Sequence, residues 1–338
     1  MIADDQSPPC RLILDTTVVR TYSAAAVDSM DLSRIREVDR HGNFYVQGYD
    51  PGVITVLSPT GDLVARFGRE GPGPGELPSG HLGVEVSGLD SIYVQDNRLS
   101  WTVFGPERQF VRSMPLGEIH AGTGTRCVLT DGSVISSAPI RGGKRPATLR
   151  LLDPDGGLVT EFGNPSGDGP GAAAPSRGVS CAFDGAAWAL PSPIEPAYRL
   201  ERWGPDGTLL NVVTRDAPWF DAGPPMTRTE GMTSKPHSDV RQVLEVHQGL
   251  LYTMIVSADP RWEPVARDQW EERLAELYDV RFEAIDAISG QLLATLLVDD
   301  QRTLPNARMM RDGHSYELVV DDSGGAHLTA YAFHLVDQ

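Results

Sequence analysis

Five cationic side chains, Arg34, His81, Arg177, Arg241 and His314, stand about eight residues ahead of successive hairpin-turn signals, with Gly124 at the sixth such position. Guanidinium forks match the geometry of carboxylate, phosphate or sulfate, and imidazoles add donors, so their chemistry would be anion capture. The plain alternative is that each arginine pairs with an acidic neighbour and ties the structure together. No nucleophile stands out. There is no Gly-x-Ser-x-Gly elbow, and Ser, His and Asp are not spaced as a triad. The run Gly71-Pro72-Gly73-Pro74-Gly75 lacks the Lys-Ser/Thr and the following helix of a phosphate loop. Cys10, Cys127 and Cys181 are an odd set with no metal spacing or disulfide framework, which makes Cys127 and Cys181 plain core residues by expectation.

The elements that must position these groups are short. Gly42-Asn43-Phe44-Tyr45-Val46 is followed by Gly52 to Leu57, the turn Ser58-Pro59-Thr60-Gly61, and Asp62 to Phe67: β-patterned runs separated by turn residues. The pattern returns about every forty residues, with Asp153-Pro154-Asp155-Gly156 in the place of Ser58-Pro59-Thr60-Gly61. Repeats fall at about 35–67, 84–115, 125–163, 178–214 and 243–298. A sixth, 316–336, lacks an outer strand, while 11–22 is a strand without a repeat. The two ends are expected to complete one unit and close a ring within a single domain over 1–338. Two stretches break the pattern. Residues 216–239 form a long loop rich in Pro, Gly, Met, Thr and Ser. Residues 262–278 place Trp270, Leu274, Leu277 and Tyr278 at helical spacing, predicting an inserted amphipathic helix whose Trp270 and Leu274 face the domain or a protein partner.

The joint between the first two repeats, Phe67-Gly68-Arg69-Glu70-Gly71-Pro72-Gly73-Pro74-Gly75-Glu76-Leu77, resembles the linker F-G-x-x-G-x-G-P-G-x-hydrophobic of NHL-like six-bladed β-propellers. The resemblance implies an all-β six-bladed propeller and places the five cationic positions around the mouth of a central channel. The phrase Gly75 to Val84 is also similar to the one preceding a zinc-ligand histidine in peptidyl-hydroxyglycine lyases, which makes His81 and His314 candidate metal ligands. That family's third histidine falls on Arg34, which cannot bind zinc, so His120 or His237 would have to substitute. Calcium, held by oxygen ligands in gluconolactonase-type propellers, suits Arg and His poorly.

The chain has 338 residues with net charge −17, which argues against a nucleic-acid surface, and no run approaches the length of a membrane span. The expected role is a monomeric binding or scaffolding module, such as an accessory subunit of a larger assembly, with a protein or anionic small-molecule partner and no cofactor. The alternative is a lyase or hydrolase acting on an anionic small molecule at the channel mouth, with zinc as its cofactor. A native Met1 would keep the protein cytoplasmic. Replacement of an export signal by Met1 would place it in the periplasm or outside the cell.

Overall fold

Tight turns build this fold. In five of them an Asp or Ser opens the turn and its side chain accepts backbone N–H groups two and four residues on. Asp39 Oδ1 does this for His41 and Asn43 (2.9 Å each), and Asp153 Oδ1 for Asp155 and Gly157 (2.9 and 2.8 Å). Such Asx turns reverse the chain in about five residues and leave the flanking runs no partner but each other. At Gly61 the fourth position has φ 79°, and an added Cβ would lie 2.6 Å from the Tyr22 hydroxyl. Glycine is therefore required there twice over.

The computed structural model describes residues 2–3, 8–77, 83–95, 100–115, 126–137, 149–163, 178–182, 184–190, 197–223, 234–246, 249–266, 269, 273–298, 308–310 and 313–337. Its strands form six sheets, each built on a four-stranded antiparallel meander. From the innermost strand outward, blade 1 is Arg34–Val38, Phe44–Gln47, Ile54–Leu57 and Leu63–Phe67, and blade 2 is Gly83–Val86, Ile92–Gln95, Ser100–Phe104 and Phe110–Pro115. Blade 3 is Arg126–Val128, Val134–Ser136, Leu149–Leu152 and Leu158–Phe162. Blade 4 is Val179–Cys181, Ala187–Ala189, Arg199–Trp203 and Leu209–Asp216, and blade 5 is Asp239–Val246, Leu250–Ala258, Tyr278–Asp286 and Leu292–Val298. Blade 6 takes Arg308–Met309, His314–Val320 and Ala326–Asp337 from the C-terminal end and Cys10–Tyr22 from the other. That last pairing runs from Cys10 opposite Asp337 to Tyr22 opposite Ala326, so the ring closes as the two incomplete ends predict. Ile2–Ala3 adds a fifth, parallel strand to blade 4.

The core is six seams between blades. Phe67, Leu77, Val84 and Phe104 fill the seam between blades 1 and 2, and Tyr22, Ile35, Phe44 and Leu328 fill the one between blades 6 and 1. This is a six-bladed β-propeller. Its first linker is held by its own glutamate: Glu76 accepts the Gly73 N–H (2.8 Å) and pairs with Arg69 (2.5 Å), while Leu77 is buried in the seam.

Two expectations need correction, and one element was not expected. Cys127 and Cys181 are buried, but they are joined by a disulfide (Cα–Cα 4.9 Å) that links the innermost strands of blades 3 and 4. Over 262–278 the described helix is only Leu274–Leu277, because Tyr278 already pairs with Ala258 in the blade 5 ladder. Trp262, Val265, Leu277 and Tyr278 form a small cluster of their own there. Trp270 lies outside the described residues, and of Leu274 only the helical backbone is described. Finally, a helix at Ala24–Met30, absent from the sequence reading, is capped by Ser23 Oγ on Ala26 N (3.3 Å) and buries Val27.

Candidate binding face

The four-strand meander gives the ring two unlike faces. On one, every connection within a blade is five residues or fewer: 39–43, 58–62, 87–91, 105–109, 129–133, 153–157, 182–186, 204–208, 247–249, 287–291 and 310–313. The other, where the innermost strands begin, is the departure point of the short connections 48–53, 96–99 and 321–325 and of the longer 23–33, 68–82, 116–125, 137–148, 163–178, 190–198, 217–238, 259–277 and 299–307. We call these the turn face and the loop face. Loops of free length on a rigid scaffold are where binding groups are carried.

Arg34 opens the innermost strand of blade 1 and Arg241 lies near the start of that of blade 5, so both belong to the loop face. Arg34 is exposed and makes no ion pair with another described residue. Arg241 pairs with Asp239 (3.0 Å), both more than half exposed. His314 does not join them. It opens the second strand of blade 6, beside the 310–313 turn and hence on the turn face, where its ring stacks on Tyr316 (centroids 5.9 Å). The innermost strand of blade 6 is only Arg308–Met309, so the count of eight residues starts one strand too late. His81, Arg177 and His120 lie outside the described residues, and His237 lies 3.3 Å from the Asp221 carboxylate.

A buried polar cluster of the loop face lies in the seam between blades 4 and 5. Tyr198 donates its hydroxyl to Glu283 Oε2 (2.6 Å) and lies 2.8 Å from Thr253 Oγ1. Arg215 Nε is 3.3 Å from the same carboxylate oxygen, and its guanidinium stands 5.6 Å from the Tyr198 ring centroid. Arg215 and Glu283 are almost fully buried, at 4% and 1% side-chain exposure. Burial first, and the Glu283 charge second, push the Tyr198 hydroxyl well above its ordinary pKa, so it remains a donor. Above this core the half-buried Phe220 stacks on Tyr198 (5.3 Å), and Trp219 carries the Arg281 guanidinium 4.2 Å from its ring. Asp221 and Ser238 exchange two hydrogen bonds (2.8 and 3.1 Å) and close the neck of the 217–238 connection. Such a site anchors loops. Its carboxylate is covered, and Trp219, Phe220 and Arg281 are partly exposed above it.

Tyr198 and Arg215 face each other across one hairpin of blade 4, Arg215 N–H donating to the Tyr198 carbonyl (2.9 Å), and Glu283 comes from blade 5; the three carry no local motif, so sequence reasoning missed them. Among the described residues no group of three His, Cys, Asp or Glu is placed to hold a metal ion, and no helix is long and apolar enough to cross a membrane.

No protein-family model matches the chain, and no curated protein matches it. Solved structures do. A member of the DUF4221 family from Bacteroides vulgatus ATCC 8482 superposes with TM-score 0.62 at 10% identity, covering 98% of this chain and 100% of that one. A candidate exported protein from Bacteroides fragilis NCTC 9343 gives 0.61 at 12%, covering 98% of each. Virginiamycin B lyase from Staphylococcus aureus gives 0.50 at 8%, covering 95% and 99%. At these identities the likeness is one of fold.

Proposed function

We propose that this protein is a non-catalytic binding or scaffolding propeller that receives a protein or an anionic small molecule on its loop face and works outside the cytoplasm. The observation that carries the reading is the inequality of the faces: tight turns on one, and on the other every long connection of the ring together with the anchored aromatic pair Trp219 and Phe220. Rigid propellers offer such faces to partners without chemistry of their own. The compartment rests on Cys127–Cys181, since disulfides persist where thiols are not kept reduced.

The reading calls for no cofactor. A photo-crosslinker placed singly at loop-face positions Tyr49, Arg69 and Pro218, and at turn-face positions Thr60, Asp155 and Asp206, tests it in native extract. Partner adducts are expected from the first set. Adducts confined to the second set would sink the proposal, and stoichiometric zinc with turnover of an anionic substrate would replace it with a lyase.

A further inference from the structure

Two innermost strands depart from regular pairing, and they do so in the same way. In blade 1 Ile35 pairs with Val46 and Glu37 with Tyr45, leaving Arg36 as the inserted residue. In blade 5 Val240 pairs with Ile255 and Gln242 with Met254, leaving Arg241. The described innermost pairs of blades 2, 3, 4 and 6 run without a shift. A bulge costs ladder hydrogen bonds and re-aims a side chain, and bulges gather beside binding sites for that reason. The blade 5 bulge lies toward the loop-face end of its strand and the blade 1 bulge at mid-strand, both insert an arginine, and blades 5 and 1 are separated by blade 6 alone.

We propose that Arg36 and Arg241, with Arg34, form an anion clamp at the loop-face mouth of the channel that takes a ligand carrying carboxylate or phosphate groups. The inference rests on the loop face being the binding face. Each arm is braced. Arg36 donates from Nε (2.8 Å) and from a terminal nitrogen to Gln47 Oε1, and Gln47 is the cross-strand partner of Arg34, so the two arginines share one buried cross-strand neighbour. In blade 5 the residue after the bulge, Gln242, accepts the Met309 N–H (2.7 Å) and ties the bulge to the innermost strand of blade 6. Arg241 holds Asp239, but at 57% and 54% exposure that pair contributes little and is exchangeable for a ligand anion. Guanidinium groups held from two blades suit an anion with more than one charged oxygen.

Isothermal titration of the full chain with citrate and with inorganic phosphate, at constant ionic strength, tests the clamp. Saturable binding of one probe is expected, and the tighter of the two names the ligand class. Arg36→Gln and Arg241→Gln should each weaken it by about tenfold or more, Arg36→Lys and Arg241→Lys by less, and Arg261→Gln not at all. No saturable heat for either probe, or an affinity unchanged in the folded Arg36→Gln, Arg241→Gln double variant, overturns the proposal. Loop-face cross-links that persist in that case would leave the binding face standing without the clamp.

Discussion

The hydroxyl of Tyr22 donates to the carbonyl oxygen of Gly61 at 2.8 Å, so the last residue of the N-terminal strand is fastened to the outer turn of blade 1. Burial pushes that hydroxyl up to about 12, and it donates throughout the physiological range. One bond thus reports ring closure, because Tyr22 also ends the ladder that completes blade 6. Tyr22→Phe should cost about 1 kcal/mol. Removal of residues 1–22 should abolish the single cooperative thermal transition, since it bares the edge of Ala326–Asp337 and opens the seam to blade 1. An unchanged melting curve for the truncated protein would refute the closure role.

What could be read in the sequence is what is local. Ser58-Pro59-Thr60-Gly61 and Asp153-Pro154-Asp155-Gly156 announce turns because turn chemistry lives in four residues, and a strand at 11–22 without a unit points to its partner by elimination. The rest depends on the third dimension. The spacing of Trp270, Leu274, Leu277 and Tyr278 fits a helix, yet Tyr278 is claimed by Ala258 across the sheet. His314 is misplaced by one strand because a two-residue strand, Arg308–Met309, leaves no periodic trace. Arg36 could not be singled out, since a bulge is a relation between two strands.

The bridge Cys127–Cys181 closes a loop with a sequence separation of 54. Limiting the unfolded chain by a loop of that size is worth about 2–4 kcal/mol. Cys127→Ala with Cys181→Ala should therefore melt well below the wild type while keeping its far-ultraviolet circular dichroism. Both sulfurs are buried, so reductant alone should act slowly on the folded protein and fast in denaturant. Rapid thiol labelling of native protein would contradict the bridge.

Turn carboxylates predict an acid limb. Hydrogen bonds from Thr208, Ser289 and Ser323 depress Asp206, Asp286 and Asp321 below the ordinary carboxylate range. A folded-state pKa below the unfolded value means the unfolded chain binds the proton more readily. The stabilisation is therefore present above about pH 3.9 and is lost as pH falls through the depressed values. The melting temperature of the wild type should drop between about pH 5 and 2 more steeply than that of the Asp206→Asn, Asp286→Asn, Asp321→Asn triple variant. Parallel curves would show that these turns do not contribute.

The seam between blades 4 and 5 depends on a carboxylate. Glu283 is reached by Tyr198 at 2.6 Å and Arg215 at 3.3 Å, so Glu283→Ala takes a carboxylate from beside a buried guanidinium and a buried hydroxyl. Breaking one side of such a pair costs about 3–5 kcal/mol. Removing Tyr198's hydroxyl by Tyr198→Phe leaves the charges matched and should cost far less, about 1–2 kcal/mol. Glu283→Gln keeps an acceptor but loses the charge, and it should fall between the two. Chemical denaturation of the three variants orders them. The same ordering should appear in the near-ultraviolet circular dichroism of the Trp219–Phe220 pair, because Tyr198, over which Arg215 lies, packs against both rings. If Tyr198→Phe proves as costly as Glu283→Ala, the seam is held by packing around the ring and not by the buried charge.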